Sequence, residues 1–319
     1  MIFSYPMLGV YLSSTVDLKA QYSEAFKAVS DTVLLRAPQE IEDPSEIRFA
    51  LSWKPADTAF APYPNIEMVS SIATGVDSIL KCPSLPTDVI ITRVCDQDQA
   101  YMMAGFAVWQ VIWYHRNMRQ YLVNERNHIW HWVDSLPTRD RTVGVLGFGT
   151  MGQAVSRALV PLGFPIVAAC RATQNKPNFP GITLLSGPNS IRNTAVRSSI
   201  LINLLPLTDE THFILNADLF SVMPRSSVLI QIGRGEHLVE EDLIAALDIG
   251  QLSAATIDVF CREPLPVDHP YWDDPRIMVT PHDASESSIS VVVQQVATCI
   301  ADLALGRVPR FAIDRGRGY

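Results

Sequence analysis

Two α/β domains, each built on a parallel sheet, are what this sequence predicts. Three observations carry that expectation. Short apolar runs of strand length recur along the chain, bounded by polar, proline or glycine segments. In the second half these runs are apolar almost throughout, which marks strands buried on both faces of a sheet covered by helices. The chain has 319 residues and 48% hydrophobic content, enough for two cores of ordinary size.

In the first half, VLLRA (33–37), FALSW (49–53), MVSSIA (68–73) and DVIITRV (88–94) read as strands. The proline- and aspartate-rich stretch 43–64 reads as surface loops. Residues 97–121 hold MMAGFAVWQVIWY without a proline, and predict one long, largely buried helix bridging two domains. A second series opens at Thr142. TVGVLGF is a strand entering a tight turn, QAVSRALVPLG is its helix ending near Gly163, and FPIVAAC (164–170) is the next strand. SSILINLLP (198–206), SVLIQIG (227–233), AATIDVF (254–260) and IMVTPH (277–282) follow. VEEDLIAALDIG (239–250) is an amphipathic helix with Gly250 as its stop. Residues 285–306 form a last long helix, and the tail returns to the first domain, which is then discontinuous.

The turn GVLGFGTMG (144–152) contains Gly147-x-Gly149-x-x-Gly152 after an apolar strand and before a helix. In that context the pattern predicts a dinucleotide site. Gly147 permits the tight turn, Gly149 lets backbone approach a pyrophosphate, and Gly152 lets helix pack on strand. Phe148, Thr150 and Met151 complete the loop that faces the phosphates with helix N–H groups. An NAD site expects an acid at the end of the next strand, but this chain reads Cys170-Arg171-Ala172-Thr173. Arg171 can pair with a 2′-phosphate and Thr173 can donate to it, which favours NADP, with NAD still admitted.

Arg234, Glu263 and His282 each lie at or just beyond an apolar run of the second series. Strand C-termini border the ligand crevice of a parallel sheet, so the three can converge there. An arginine clamps a carboxylate bidentately, a histidine protonates a carbonyl oxygen as hydride arrives at carbon, and a carboxylate orients the imidazole. His237 competes with His282 but lies at the front of a helix. None of the seven histidines stands at a metal-ligand spacing, so no metal is expected. In the first half, the turn Thr74-Gly75-Val76-Asp77 offers backbone N–H groups to a carboxylate.

The net charge of −8 and the lack of a dense Lys/Arg block argue against a nucleic-acid partner. No run of 18 apolar residues predicts a membrane span. The N-terminus makes a poor leader, and five dispersed cysteines are no disulfide framework, so a cytoplasmic location is expected.

These motifs, with ATGVDSIL (73–80), LINLLPLTDET (201–211), GRGEHLVEEDLIAAL (233–247), IDVFCREPLP (257–266), TPH (280–282) and DRGRGY (314–319), resemble the D-isomer-specific 2-hydroxyacid dehydrogenases. The glyoxylate/hydroxypyruvate reductase A branch is the more closely similar one. The resemblance implies a doubly wound parallel-sheet (Rossmann) cofactor domain at 96–284, inserted into a smaller flavodoxin-like α/β domain made of 1–95 and 285–319. It assigns the carboxylate clamp to Arg234, the histidine-supporting acid to Glu263, and the acid/base to His282 beside the cofactor. Gly75 and Val76 would present substrate-binding amides, Asp258 would hold the nicotinamide carboxamide, and Leu205-Pro206 would border the cofactor. A homodimer through the cofactor domains is implied.

The expected activity is an NADPH-preferring reduction of glyoxylate to glycolate and hydroxypyruvate to D-glycerate, the partner being a small anionic 2-oxo acid held in an interdomain cleft. A reductase of a bulkier 2-oxo acid such as phenylpyruvate, and a non-catalytic dinucleotide-binding redox sensor or corepressor, stay open. Three positions depart from the family pattern: Gly233 replaces the usual alanine, suggesting a looser Arg234 turn; Asp283 puts a second carboxylate next to His282, either near the imidazole or pointing away to solvent or the cofactor; Gly105 replaces a frequent glutamate, suggesting altered packing or hydrogen bonding.

Overall fold

The computed structural model of the chain describes residues 7–29, 33–171 and 179–316. It separates into two compact units, Met1–Asp98 with Glu286–Tyr319, and Gln99–Ser285.

The first unit is a parallel sheet of β1 (Met7–Ser13), β2 (Val33–Arg36), β3 (Phe49–Trp53), β4 (Met68–Ser71) and β5 (Ile90–Thr92). Their order is β2-β1-β3-β4-β5, the flavodoxin-like order. Helix α1 (Leu18–Val29) connects β1 to β2, and the short α2 (Asp77–Leu80) lies between β4 and β5. Alternation along the strands feeds two cores. Tyr11, Phe49 and Leu51 pack with Tyr22 and Phe26 of α1 and with Val292 and Val296 of the helix Ile289–Ala304. Val10, Leu12 and Ala50 point the other way, onto Phe60, Tyr63 and Ile79. The tail runs along β5: Ala312 bridges Thr92 antiparallel, and Arg315 Nη1 donates to the carbonyls of Pro86, Thr87 and Val89.

The second unit contains α3 (Gln97–His115), most of which lies in it, and α4 (Met118–Arg126), then a parallel sheet. Its strands are β6 (Val143–Leu146), β7 (Ile166–Ala169), β8 (Ile182–Leu185), β9 (Ile200–Asn203), β10 (Ser227–Gln231), β11 (Leu252–Ile257) and β12 (Ile277–Val279). The order β12-β11-β10-β9-β6-β7-β8 is the doubly wound order with one strand added. Helices α5 (Thr150–Leu159), α6 (Ser190–Ala195), α7 (Ala217–Val222) and α8 (Glu240–Asp248) complete it. Val143, Val145, Ile200, Ile202, Val228 and Ile230 face the core under α3 and α5. Leu146, Leu201 and Leu229 face the opposite core, under α7 and α8. The chain leaves β8 and re-enters the sheet at β9, on the far side of β6, so the ligand crevice opens at the C-terminal ends of β6 and β9.

Two strands lie outside the apolar runs read above. β1 contains Gly9, which breaks the pattern; a Cβ there would sit 2.4 Å from the Phe49 ring, so the glycine is a packing residue. β8 is an edge strand, only half-buried, with too weak an apolar signal to stand out. The helix expected over 97–121 is two helices, because Asn117 takes a left-handed conformation (φ 49) and turns the chain. Nor is that segment largely buried: Ala100, Met103, Ala104, Ala107 and Val111 are inside, while Tyr101, Met102, Trp109 and Ile112 are exposed. Gly250 (φ 67) does end α8.

Candidate active site

The glycine turn joins β6 to α5 with geometry that explains each glycine. Gly147 has φ 94, and a Cβ there would lie 2.7 Å from the Leu204 carbonyl oxygen. At Gly152 a Cβ would fall 1.9 Å from the Gly147 carbonyl oxygen, so α5 could not close onto the turn. Gly149 is different: no protein atom lies within 4 Å of its Cβ position, so its side is open. It is the N-cap of α5 and no side chain caps it. Open space beside uncapped helix N–H groups fits a pyrophosphate. Phe148 offers only backbone to such a ligand, because its ring is buried edge-on to Phe179 at 5.1 Å. Thr150 is exposed and Met151 half-buried at the start of α5.

Arg171 follows β7 and Leu205-Pro206 follow β9, the strands flanking β6. Arg171 Nη2 lies 3.4 Å from Glu210 Oε2, in an exposed ion pair reaching the loop after Pro206. Thr173 lies outside the described residues.

Arg234, Glu263 and His282 follow β10, β11 and β12, three adjacent parallel strands, and so emerge at one edge of the sheet. His282 Nδ1 lies 3.0 and 3.1 Å from the two Glu263 carboxylate oxygens. Glu263 Oε1 also accepts the Phe260 N–H at 3.2 Å, which anchors the carboxylate. With Nδ1 donating to Glu263, Nε2 is the ring atom left for a substrate; among the described residues no protein group bonds it. Asp258, fully buried, fixes the loop beneath: Oδ1 accepts from Thr280 Oγ1 (2.6 Å) and the Asp283 N–H (2.9 Å), and Oδ2 from the Ala284 N–H (3.2 Å). This clamp holds His282 in the left-handed region (φ 57), a conformation that costs an L-residue about 1–2 kcal/mol. Asp283 itself is exposed, and the carboxylate on the imidazole is that of Glu263.

The Arg234 turn is tight rather than loose. A Cβ on Gly235 would lie 2.0 Å from the Phe260 carbonyl carbon, so the turn sits directly against the backbone leading to Glu263. A Cβ on Gly233 would lie 2.8 Å from Asn203 Nδ2 and 3.0 Å from His237 Nδ1. The expectation of a looser turn at Gly233 is therefore corrected: the glycine admits a close approach of side chains. Nothing lies within 4 Å of the Cβ position of Gly105, which leaves a notch in an exposed helix face.

His237 is excluded as the acid/base by its surroundings. It is fully buried, Nδ1 lies 3.1 Å from the Arg234 N–H, and Nε2 lies 3.3 Å from the Pro206 carbonyl oxygen. Asn203 and Gln231, which share this cluster, were not singled out in the sequence. The available signal is that each is an amide at the end of an apolar run in a buried strand, ILI before Asn203 and VLI before Gln231.

In the first unit, the Ser71 hydroxyl donates to the Gly75 carbonyl at 2.8 Å, and Thr74 Oγ1 to the Val94 carbonyl at 3.1 Å. These bonds fix the turn at Gly75 and Val76 through other atoms than their two N–H groups. Among the described residues no helix is long and apolar enough to cross a membrane, and no cluster of His, Cys, Asp and Glu could hold a metal ion.

Residues 108–284 match the family model described as D-isomer specific 2-hydroxyacid dehydrogenase, NAD binding domain. Glyoxylate/hydroxypyruvate reductase A of Yersinia enterocolitica is 35% identical over 276 residues, covering 85% of this chain and 87% of the relative. The fold is similar to that of a D-isomer specific 2-hydroxyacid dehydrogenase from Xanthobacter autotrophicus Py2 solved with NADPH and MES, with TM-score 0.89 and 32% identity over 98% of this chain and 99% of that one. It is equally similar to an NADPH-dependent glyoxylate/hydroxypyruvate reductase from Sinorhizobium meliloti solved with NADP and sulfate, with TM-score 0.89 and 30% identity over the same shares.

Proposed function

Because the chain belongs to the D-isomer specific 2-hydroxyacid dehydrogenase family, an NAD(P)-dependent oxidoreductase class, we propose that it reduces glyoxylate and hydroxypyruvate with NADPH. The observation that carries the reading is the Glu263–His282 pair at the C-terminal edge of the sheet, its members following β11 and β12, with β11 next to the strand β10 that leads to Arg234. When bound, NADPH supplies the hydride to the substrate's carbonyl carbon. The open side of Gly149, the α5 N-terminus, Arg171 and the Leu205-Pro206 loop would hold it. Arg234 clamps the substrate carboxylate with its guanidinium fork, and the Gly75 and Val76 amides are further donors for a carboxylate. His282 Nε2 gives its proton to the carbonyl oxygen. Glu263 keeps the ring oriented and stabilises the positive charge that the ring carries before transfer. The test is NADPH oxidation on addition of glyoxylate or hydroxypyruvate; tight NADPH binding without turnover would reject the enzyme reading in favour of a sensor.

Preference for NADPH over NADH is assigned to Arg171. Arg171→Ala is expected to lower kcat/KM for NADPH by about tenfold or more and to leave that for NADH nearly unchanged, since only the 2′-phosphate bond is lost. An unchanged ratio of the two would remove Arg171 from the site.

A homodimer through the exposed face of α3 belongs to the same reading. Tyr101, Met102, Trp109 and Ile112 share that face, Trp109 stacks edge-on to Phe106 and Trp113, and Trp130 and Trp132 beyond α4 are 103% and 81% exposed. Gly105 opens a notch in the same row, although glycine in an exposed helix costs about 1 kcal/mol relative to alanine. A second copy of the chain packed there would use the notch. Sedimentation should give twice the chain mass, falling to a monomer in Tyr101→Asp/Trp109→Asp; a monomeric wild type rejects the assignment.

A further inference from the structure

Asn203 and Gln231 end adjacent strands β9 and β10 and are paired in register, so their side chains leave the sheet on the same face. Both are fully buried, as is His237. The three make a closed set of bonds. Asn203 Nδ2 donates to Gln231 Oε1 (2.8 Å) and to His237 Nδ1 (2.9 Å), while its Oδ1 accepts the Leu205 N–H (3.2 Å). Gln231 Oε1 also accepts the Gly233 N–H (3.2 Å), and its Nε2 donates to the Arg234 carbonyl (2.7 Å). His237 Nδ1 accepts the Arg234 N–H (3.1 Å). Two N–H donors converge on Nδ1, so that nitrogen carries no proton and Nε2–H donates to the Pro206 carbonyl. The backbone N–H and C=O of Arg234 are thus each held by a buried side chain.

We infer that His237 is a positioning residue for substrate binding: neutral, with its Nδ1 lone pair on the Arg234 N–H, it fixes the direction in which the Arg234 guanidinium leaves the backbone. This rests on the reading of Arg234 as the carboxylate clamp. A carboxylate held by a planar fork is sensitive to the fork's angle, and a buried side chain with every polar atom matched allows little drift. The cofactor loop depends on His237 less, because the Pro206 carbonyl also accepts Thr211 Oγ1 at 2.7 Å.

His237→Leu keeps the bulk and removes the acceptor, leaving the Arg234 and Asn203 donors unmatched. The expected result is a KM for glyoxylate raised about tenfold, with kcat and the NADPH Kd each within about threefold of wild type, the pattern of lost uniform substrate binding. His237→Asn should recover most of the KM, because its Oδ1 stands as many bonds from Cβ as the imidazole Nδ1 does. Combined with Arg234→Ala, His237→Leu should add no further cost, since the side chain it positions is gone. A loss of thermal stability with unchanged KM would show a purely structural role and overturn the inference. Should His237→Leu not fold, Gln231→Leu cuts the other hold on Arg234 and should raise KM in the same way; an unchanged KM there overturns it equally. An Arg234→Ala enzyme with wild-type KM would defeat the clamp reading itself, whereas damage in Arg234→Ala beside an unaffected His237→Leu defeats this inference alone.

Discussion

His282→Gln is expected to lower kcat for glyoxylate by about 10²–10⁴-fold, the usual worth of a general acid, while NADPH binds with near wild-type affinity. Glutamine fills a similar space and keeps a polar end, but has no proton to transfer at that position. The loss should appear in kcat and kcat/KM together, because the proton reaches the carbonyl oxygen only as the transition state forms. The Glu263 pair makes the assignment specific: Nδ1 is fixed on the carboxylate at 3.0 Å, so the proton that moves is the one on Nε2. Turnover near wild type in His282→Gln would remove His282 from the chemistry.

Arg234→Ala has the second large expected effect, and it falls on substrate use. Two charge-assisted bonds to a carboxylate disappear, and each hydrogen bond to a charged group is worth about 1.5–3 kcal/mol, so kcat/KM should fall by about 100-fold or more. Most of the fall should lie in KM. Arg234→Lys should recover only part of it, since lysine restores the charge without the planar fork. NADPH affinity should hold, because the Arg234 side chain is no part of the proposed cofactor contacts. A substrate KM that does not change would place the carboxylate elsewhere.

Much of this site can be read in the sequence because a parallel sheet converts chain order into place. Residues just past strand ends must gather at one edge, and that rule alone brings Glu263 and His282, on the ends of neighbouring strands, within bonding distance. The glycine turn is legible for the same reason, since each glycine answers a separate steric demand. What escaped depends on side chains meeting across the sheet. Asn203 and Gln231 are 28 residues apart, and no local pattern announces that β9 and β10 are paired in register. Gly233 read as a loose point when taken locally, yet the Asn203 amide and the His237 ring close against it. For Asp258 the resemblance implies a contact with the cofactor, but its hold on Thr280, Asp283 and Ala284 has no local signal and needs the adjacency of β11 and β12. β1 was hidden by Gly9, whose purpose is visible only once Phe49 lies across it.

The most direct test of the central claim is a steady-state comparison of kcat/KM, with saturating NADPH, for glyoxylate, hydroxypyruvate, pyruvate, 2-oxobutyrate and phenylpyruvate. An arginine clamp draws most of its orientation from the carboxylate, so small acids gain as much from it as large ones. The account predicts that glyoxylate and hydroxypyruvate are turned over with the highest values. Phenylpyruvate leading by a large factor, or no 2-oxo acid being reduced, would contradict it.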